Sequence, residues 1–110
     1  MARLSQIFVP KEREFFDLFE EAGGNILRAA GLLEELLKDF PERNDLARDI
    51  LICEQDGDRI TREAIASLFD NGIDPMVVIR WKDIFDRLED AIDATERVAD
   101  VLEGIVIKNA

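Results

Sequence analysis

The sequence predicts an all-α protein, an antiparallel bundle of three long helices, and two observations carry this prediction. Apolar residues recur every three or four positions through most of the chain, which is the period of a helix that buries one face. Proline and glycine are few, and they divide the chain into three long pieces with short connections. Because 110 residues are enough for one core, we expect a single domain, 1–110, with helices at about 11–39, 43–70 and 75–107.

The first predicted helix carries apolar residues at spacings of three and four from Phe15 to Leu37. Phe40 precedes Pro41, and a residue before proline is disfavoured in the helical conformation, so the helix should end near Asp39. Three glycines lie inside it, and each costs a helix about 1 kcal/mol relative to alanine, which predicts close helix approach or a local bend. They are Gly23, Gly24 and Gly31.

The second predicted helix begins at Pro41 or Asn44 and has a seam of apolar and small residues at alternating spacings of four and three. The smallest of these residues lie in the middle, which predicts close packing of a neighbouring helix there. The sequence Asp70-Asn71-Gly72 predicts the end, because Asn and Gly tolerate the left-handed conformation that closes a helix. The seam residues are Leu46, Ile50, Cys53, Gly57, Ile60, Ala64 and Ser67.

The third predicted helix begins at Asp74-Pro75, where Asp accepts hydrogen bonds from the first turn and Pro gives up a donor that would be unpaired anyway. Its seam is predicted to run over nine positions. Helices of this length extend about 40 to 50 Å and should lie side by side. The nine positions are Val77, Trp81, Ile84, Leu88, Ala91, Thr95, Val98, Leu102 and Ile105.

Charge and composition exclude several function classes. Acidic residues number 25 against 14 basic ones, and the formal net charge of −11 argues against nucleic acid or an anionic membrane as the ligand. The chain has no histidine and one cysteine, so it lacks the usual general base, an internal disulfide and any Cys-x-x-Cys metal site. Carboxylates remain as the groups that carry chemistry, and we expect a protein that is not an enzyme.

The location of the protein is predicted from what the sequence lacks. No apolar run approaches the roughly 20 residues that a membrane span requires, so we expect no direct membrane insertion. The first residues also lack the order of basic and then apolar residues that marks a signal peptide. The sequence therefore predicts a cytoplasmic protein.

Several carboxylates flank the seams instead of spreading over the outer faces. In the second helix, Glu54 and Asp58 lie one turn apart on either side of Gly57. Like charges one turn apart cost a helix about 0.2 to 0.5 kcal/mol per pair, and a hard divalent or trivalent cation would offset that cost. The alternative is solvated surface charge, or ion pairs with arginines. The third helix carries a continuous acidic stripe, Glu89, Asp93, Glu96, Asp100 and Glu103.

Simple helix geometry indicates which acids lie level with each other. Counted from the helix ends that meet at the turn, Glu54 lies 16 residues back, Glu89 14 residues on and Glu96 21 residues on. At about 1.5 Å per residue, Glu54 and Glu96 differ in height by roughly 8 Å in an antiparallel pair. The geometry therefore favours Glu89 and Asp93 as the partners of Glu54 within one chain.

Four segments of the sequence carry a resemblance to one known family. In Phe8–Phe19 a Pro-Lys turn leads into an aromatic-rich first helix, Glu54–Asp58 and Glu96–Asp100 are two acidic motifs, and Val101–Lys108 follows the second of them. In this order the segments resemble the opening, the two acidic motifs and the closing segment of the PhoU-like regulators of phosphate transport, in particular of the branch that accompanies Pit-type inorganic phosphate transporters. The order of these segments along the chain makes the resemblance specific.

The resemblance implies a PhoU-like cytoplasmic regulator or accessory protein of phosphate transport, in which paired Glu-x-x-x-Asp motifs hold metal ions. Its partner would be a phosphate transporter or a signalling protein. The metal ligands that it implies are Glu54, Asp58, Glu96 and Asp100, with Glu89 and Asp93 as second choices. On the pairing with Glu54 the resemblance and the simple geometry disagree, and the prediction follows the resemblance.

The length of the chain predicts self-association. Members of the family usually contain two three-helix repeats, and one repeat is present in these 110 residues. The resemblance therefore implies a homodimer that rebuilds a six-helix form. Two other functions remain open. One is a metal-free acidic module for helical assembly, and the other is a metal-dependent phosphoesterase, which the absence of histidine, of a glycine-rich phosphate loop and of a nucleophile motif disfavours.

Overall fold

A computed structural model describes residues 13–108, and these residues form three α-helices and no β-strand. The helices are α1 (Arg13–Lys38), α2 (Leu46–Asp70) and α3 (Pro75–Lys108). The all-α prediction is confirmed. The first two residues of the predicted first helix, and residues 8–12 of the segment that resembles the family opening, lie outside the described residues.

The connection between α1 and α2 is longer than the sequence predicts, so the expected start near residue 43 is wrong. Backbone N–H groups of Asn44, Leu46 and Ala47 donate to carbonyls three residues back, at 3.2, 3.0 and 3.1 Å. Such bonds are those of tight turns, and regular helical geometry begins only at Leu46. The apolar pattern of α2 also begins at Leu46, and Leu46 is the first residue of this helix that is buried in the core.

The ends that face each other across the second connection agree with the prediction. Gly72 has a φ of +67°, the left-handed conformation that glycine adopts without strain. The backbone N–H of Ile73 donates to the carbonyl of Leu68 at 3.1 Å, which closes α2. Asp74 accepts a hydrogen bond from the backbone N–H of Met76 at 2.8 Å, so it caps α3 as expected.

The helices pack antiparallel, because each end of the molecule combines the start of one helix with the end of the next. One end joins the start of α1, the end of α2 and the start of α3, with Phe15, Leu68 and Phe85 among its buried residues. The other end joins the end of α1, the start of α2 and the last third of α3, represented by Leu36 and Ile50. A smaller cluster of Ala29, Cys53 and Ile92 lies between them.

An aromatic group closes the first of these ends. The rings of Phe15 and Trp81 lie 4.7 Å apart edge to face, and those of Phe15 and Phe85 lie 5.8 Å apart. Phe19 contacts the same two rings, at 5.4 Å from Trp81 and 6.0 Å from Phe85. Edge-to-face pairs add about 0.5 to 1.5 kcal/mol beyond the area that they bury. These contacts fix the rotation of α3 about its axis.

The predicted seam of α2 is confirmed, since all seven of its residues are buried. The predicted seam of α3 is wrong at five of its nine positions, which are exposed, and the other four are partly buried. The buried residues of α3 are Val78, Phe85, Ile92 and Ala99, each one position after a predicted seam residue. At each of these places the predicted position and the buried position that follows it both hold apolar residues. Adjacent positions point 100° apart around the helix, so only one of the two can face the core. The positions left exposed are Val77, Ile84, Ala91, Val98 and Ile105.

Close helix approach occurs in the middle of the bundle, at Gly57. A Cβ placed there would lie 3.1 Å from Cδ1 of Ile92 and 3.5 Å from Nδ2 of Asn25, so side chains of both other helices touch this backbone. The same Nδ2 donates a hydrogen bond of 2.7 Å to the carbonyl of Cys53. At the three glycines of α1, by contrast, nothing lies within 4 Å of such a Cβ, and the expected close packing there does not occur.

The bundle is flat. Its principal extents are 54, 29 and 15 Å, so it is about twice as broad as it is thick. Among residues 13–108, no helix has the length and apolarity that crossing a membrane requires. The flat shape leaves a large part of each helix on the surface and brings the edges of α2 and α3 together along their length.

Candidate functional site

Three of the six acids that the sequence predicts as metal ligands line one cavity between α2 and α3. Glu54 comes from α2, and Glu89 and Asp93 come from α3. The cavity has a volume of about 200 Å³, and Asp90 and Ile92 complete its lining. The prediction from helix geometry named these three acids, whereas the resemblance placed Glu96 and Asp100 opposite Glu54.

Two acids of this cavity follow directly after a residue that is buried in the core. Glu54 follows the buried Cys53, and Asp93 follows the buried Ile92. One residue along a helix turns the side chain by 100°, so these carboxylates lie at the edge of the helix interface instead of on the outer face. Both residues are partly buried as a result.

Glu89 is the carboxylate that the fold constrains most. Its Oε1 atom is buried and has no hydrogen-bond partner within residues 13–108. Burial raises the pKa of Glu89 above its usual value; the Thr61 hydroxyl opposes this shift, and the negative charges of Asp58, Asp86 and Glu54 add to it. A buried carboxylate oxygen without a donor favours an added proton or cation.

Glu96 is a second carboxylate whose environment disfavours its charged form. Burial raises its pKa, a hydrogen bond shared with Asp100 raises it further, and the charges of Asp100, Glu54 and Asp93 act in the same direction. Glu54 therefore acts electrostatically on both Glu89 and Glu96, although Glu96 does not line the cavity.

The two remaining predicted ligands lie elsewhere. Asp58 accepts a hydrogen bond of 2.6 Å from Arg62 on the exposed face of α2. Asp100 lines a separate cavity of about 470 Å³ with Arg48 and Glu103 among other residues. The structure thus divides the six acids, and the pair implied by the motif Glu54–Asp58 does not point into one cavity.

The donors fit a hard cation in their chemistry but are not assembled around one point. Carboxylate oxygens are the ligands that Mg²⁺, Ca²⁺ and Mn²⁺ prefer. Among the described residues, no three His, Cys, Asp or Glu side chains approach closely enough to hold a metal ion together. Asp93 is also engaged in an ion pair of 2.8 Å with Arg97. Side-chain rotation, or a second molecule, would have to complete a metal centre.

Two residues at this place were not predicted from the sequence. Asp90 lines the cavity, and Thr61 lies close enough to Glu89 to favour its ionised form. Thr61 follows Glu54 by seven residues, which places both on the same face of α2. That spacing is a signal that the sequence contains. Nothing in the pattern singles out Asp90.

Comparison with known proteins adds two relatives. The chain is 35% identical over 98 residues to “UPF0111 protein YkaA” of Bacillus subtilis (strain 168), a match that covers 88% of this chain and 46% of that protein. It is 32% identical over 93 residues to “Putative pit accessory protein” of Rhizobium meliloti (strain 1021), covering 84% and 44%. The chain spans about half the length of the curated relatives it matches.

Two further comparisons give no match. No family model matches the sequence, and no solved structure matches it. The resemblance to PhoU-like regulators therefore stays a prediction. The class of protein that the fold and the cavity define is an acidic three-helix bundle with carboxylates gathered at the edge of one helix interface.

Proposed function

We propose that the chain is an accessory or regulatory protein of inorganic phosphate transport. The observation that carries this proposal is the similarity to the protein named “Putative pit accessory protein”, which extends over 84% of the chain. The resemblance of four segments to the branch that accompanies Pit-type phosphate transporters supports it from the sequence. The three-helix bundle, with no glycine-rich phosphate loop in the sequence, agrees with a binding role instead of catalysis.

The proposed partner is a Pit-type phosphate transporter, or a signalling protein that acts with it, on the cytoplasmic side of the membrane. Cytoplasmic loops of membrane proteins carry an excess of Lys and Arg. A protein with a formal net charge of −11 has a favourable electrostatic interaction with such loops. The accessory protein would bind the transporter from outside the bilayer.

Phosphate uptake tests the proposal directly. In cells that carry the gene together with a Pit-type transporter, deletion of the gene should lower the rate of ³²P-phosphate uptake at unchanged transporter abundance. Expression of the intact chain from a plasmid should restore the rate. If uptake is the same in the deletion strain and its parent, the proposed role in phosphate transport is wrong.

A cation held by the carboxylates at the edge of α2 and α3 is part of the proposal. Glu54, Glu89 and Asp93 would bind it, and the unpaired Oε1 of Glu89 supports this assignment. The bound ion would neutralise charge that the helices otherwise hold close together, and so stabilise the bundle. It would have a structural or regulatory role.

Thermal melting in the presence of single metal ions tests the cation site. A ligand present at about 100 times its Kd stabilises a folded protein by about 2.7 kcal/mol, so chelator-treated protein should melt at a higher temperature with Mg²⁺, Mn²⁺, Fe²⁺ or Zn²⁺. The Glu54→Gln and Glu89→Gln double variant should lose this shift. A control variant, Asp17→Asn with Glu20→Gln, changes two exposed acids of α1 and should keep it.

A second double variant separates the two ligand assignments. Glu54→Gln with Asp58→Asn removes the pair that the family resemblance implies, and it should retain more of the metal-dependent shift than Glu54→Gln with Glu89→Gln does. The reason is that Asp58 points to Arg62 on the exposed face. Equal loss in both double variants would show that Asp58 is a ligand as well.

The alternative function is a metal-free acidic module for helical assembly. The absence of three convergent ligands among residues 13–108 favours it, as do the ion pairs that Asp58 and Asp93 already make. In that case no metal ion raises the melting temperature at matched ionic strength. The role in phosphate transport would then depend on protein contacts alone.

We further propose that the chain acts as a homodimer. Large apolar side chains remain exposed along its helices, among them Phe69, Met76 and Ile79. A monomer has a mass of 12.5 kDa. Light scattering at micromolar concentration should therefore return about twice that mass, and a monomer at all concentrations would contradict the proposal.

A further inference from the structure

Five exposed residues of α3 form a regular apolar line, which we call the α3 stripe. They follow one another at intervals of seven residues, so they lie on one face of the helix. The four large ones are between 39% and 45% exposed, and the central alanine is exposed too. The stripe consists of Val77, Ile84, Ala91, Val98 and Ile105.

The α3 stripe is symmetric about its centre. Ala91 is the middle residue, Ile84 and Val98 lie seven residues to either side, and Val77 and Ile105 lie fourteen residues to either side. In two copies of a helix that cross antiparallel at Ala91, each β-branched residue meets another β-branched residue. The small residue falls at the crossing point, where it permits close approach of the two helices.

We infer that the α3 stripe is the contact between two copies of this chain, related by a two-fold axis that passes near Ala91. A two-fold contact uses the same patch on both copies, which requires a self-complementary surface. The symmetric stripe has this property. The inference deepens the proposed homodimer by assigning its interface.

The charges around the stripe agree with a contact between identical chains. Two rows of residues flank the stripe on α3. One row lies three residues after each of the first four stripe members and the other lies four residues after them, and neither row contains an acid. These positions are Arg80, Arg87, Ala94 and Val101, and Trp81, Leu88, Thr95 and Leu102. In a protein with 25 acidic residues, the acids of α3 nearest to the stripe, Asp83 and Asp90, lie 100° around the helix from it, so a contact centred on the stripe limits the repulsion between two copies.

A second apolar surface lies beside the stripe on α1. The Phe19 ring lies 5.4 Å from that of Trp81, so the face of α1 that carries Phe19 is the one next to α3. Gly23, Ala30 and Leu37 follow Phe19 by 4, 11 and 18 residues and share that face. All three are exposed. The two helices thus provide an apolar surface wider than a single helix.

The dimensions are those of a modest but specific interface. The 29 residues from Val77 to Ile105 span about 42 Å, and a contact one helix wide, about 10 Å, covers roughly 400 Å². Stable interfaces bury about 800 Å² per partner, so the neighbouring face of α1 has to contribute about half.

The test replaces one apolar residue of the stripe by an acid and measures the mass in solution. Ile84→Glu and Val98→Glu each place a carboxylate at the contact, and both variants should be monomeric at concentrations where the unmodified protein is dimeric. The matched control is Ile52→Glu, which introduces the same charge at a residue of α2 that is 39% exposed, as Ile84 is, on the helix that takes no part in the proposed contact. The control should remain dimeric.

Cross-linking provides a second measurement that does not depend on weakening the dimer. A cysteine at Ala91 should be joined to its equivalent in the other copy by a short bismaleimide, because the two-fold axis brings the two positions together. Ala66→Cys, an exposed position on α2, should not be joined. The native Cys53 is 0% exposed and should not react in the folded protein.

Each result supports or overturns the assignment. Dimeric Ile84→Glu and Val98→Glu variants, or equal cross-linking at positions 91 and 66, would show that the interface lies elsewhere while the homodimer stands. A monomeric unmodified protein would overturn the inference and the proposed homodimer together. Neither result bears on phosphate uptake, whose failure would in turn leave the interface assignment intact.

Discussion

Glycine residues of this protein have different roles that only their surroundings reveal. At Gly57 the backbone lies against Ile92 and Asn25, and a Cβ would be 3.1 Å from the Ile92 side chain. At Gly24 no atom lies within 4 Å of a Cβ. Both glycines interrupt helices and both reduce helix stability by about 1 kcal/mol relative to alanine. The cost at Gly57 is offset by the close packing that it permits.

Replacement of these two glycines by valine should affect stability to different extents. Gly57→Val should lower the free energy of unfolding by about 1 to 3 kcal/mol, because the larger side chain has no space between the three helices. Gly24→Val is the control, and it should change that free energy by less than about 0.5 kcal/mol, because its site is open. Urea denaturation followed by circular dichroism measures both. Similar losses at the two positions would contradict the packing described at Gly57.

Cys53 illustrates how burial decides the chemistry of a single group. The side chain is completely buried between the helices, and this burial raises the pKa of its thiol above the ordinary value; Arg28 opposes the shift, and Asp56 and Asp49 add to it. The folded state therefore holds its proton at pH values where the unfolded chain releases it. As pH rises through the ordinary thiol pKa, stability falls.

The predicted reactivity of Cys53 follows from both effects. At pH 8 a thiol reagent should label native protein at least about 100-fold more slowly than protein in urea, because labelling requires an opening that costs several kcal/mol. A Cys53→Ala variant should also show a smaller loss of stability between pH 8 and pH 10. Rapid labelling of the native protein would mean that the interface between α1 and α2 opens easily.

At the scale of the elements, the rotation of α3 about its axis is the feature that the structure adds. Phe85 is completely buried between the rings of Phe15 and Phe19, whereas the neighbouring Ile84 is 39% exposed. Both residues belong to the same apolar pair in the sequence. The aromatic cluster selects one of them, since a Phe ring fills the space between α1 and α3 more completely than an Ile side chain would.

Alanine substitution at adjacent positions tests this rotation. Phe85→Ala should reduce the free energy of unfolding by about 3 to 5 kcal/mol, the usual range for a fully buried Phe. Ile84→Ala should cost less than about 1 kcal/mol in the monomer, because the side chain already contacts solvent. Thermal or chemical denaturation of both variants below the concentration of dimer formation makes the comparison. A larger loss for Ile84→Ala would restore the seam predicted from the sequence.

At the scale of the whole molecule, charge opposes compactness. A formal charge of −11 is spread over a flat body with a longest extent of 54 Å, so many acids repel one another across its surface. The ion pairs along the helices, such as Arg59 with Glu21 at 2.8 Å, are exposed and compensate only locally. Salt should therefore affect this protein more than a neutral one of the same fold.

The melting temperature should rise when NaCl is increased from about 10 mM to about 150 mM, since the screening length falls from about 30 Å to about 8 Å. The same salt increase should strengthen dimer formation. A metal ion that binds the carboxylate cavity should raise the melting temperature further at constant ionic strength. A melting temperature that is independent of NaCl would show that charge repulsion does not limit stability.

The sequence by itself determined the number of helices, the end of α2, the start of α3 and the buried face of α2. These depend on local chemistry, namely the helical period, the Asp74-Pro75 start and the Asn71-Gly72 end, and none of them needs a distant contact. The seam of α2 was also readable, because a charged residue stands beside six of its seven positions. Simple helix arithmetic favoured Glu89 and Asp93 as the partners of Glu54, but the prediction followed the family resemblance to Glu96 and Asp100, and only the structure decides between the two.

Only the tertiary structure decided which face of α3 is buried and which acids share a cavity. Neighbouring apolar residues such as Ile84 and Phe85 satisfy the helical period equally well, so local pattern leaves the rotation undetermined by 100°. The aromatic contacts with α1 determine that rotation. They turn Glu89 and Asp93 toward Glu54 and leave the α3 stripe on the surface, because the stripe residues lie 100° around the helix from the buried ones.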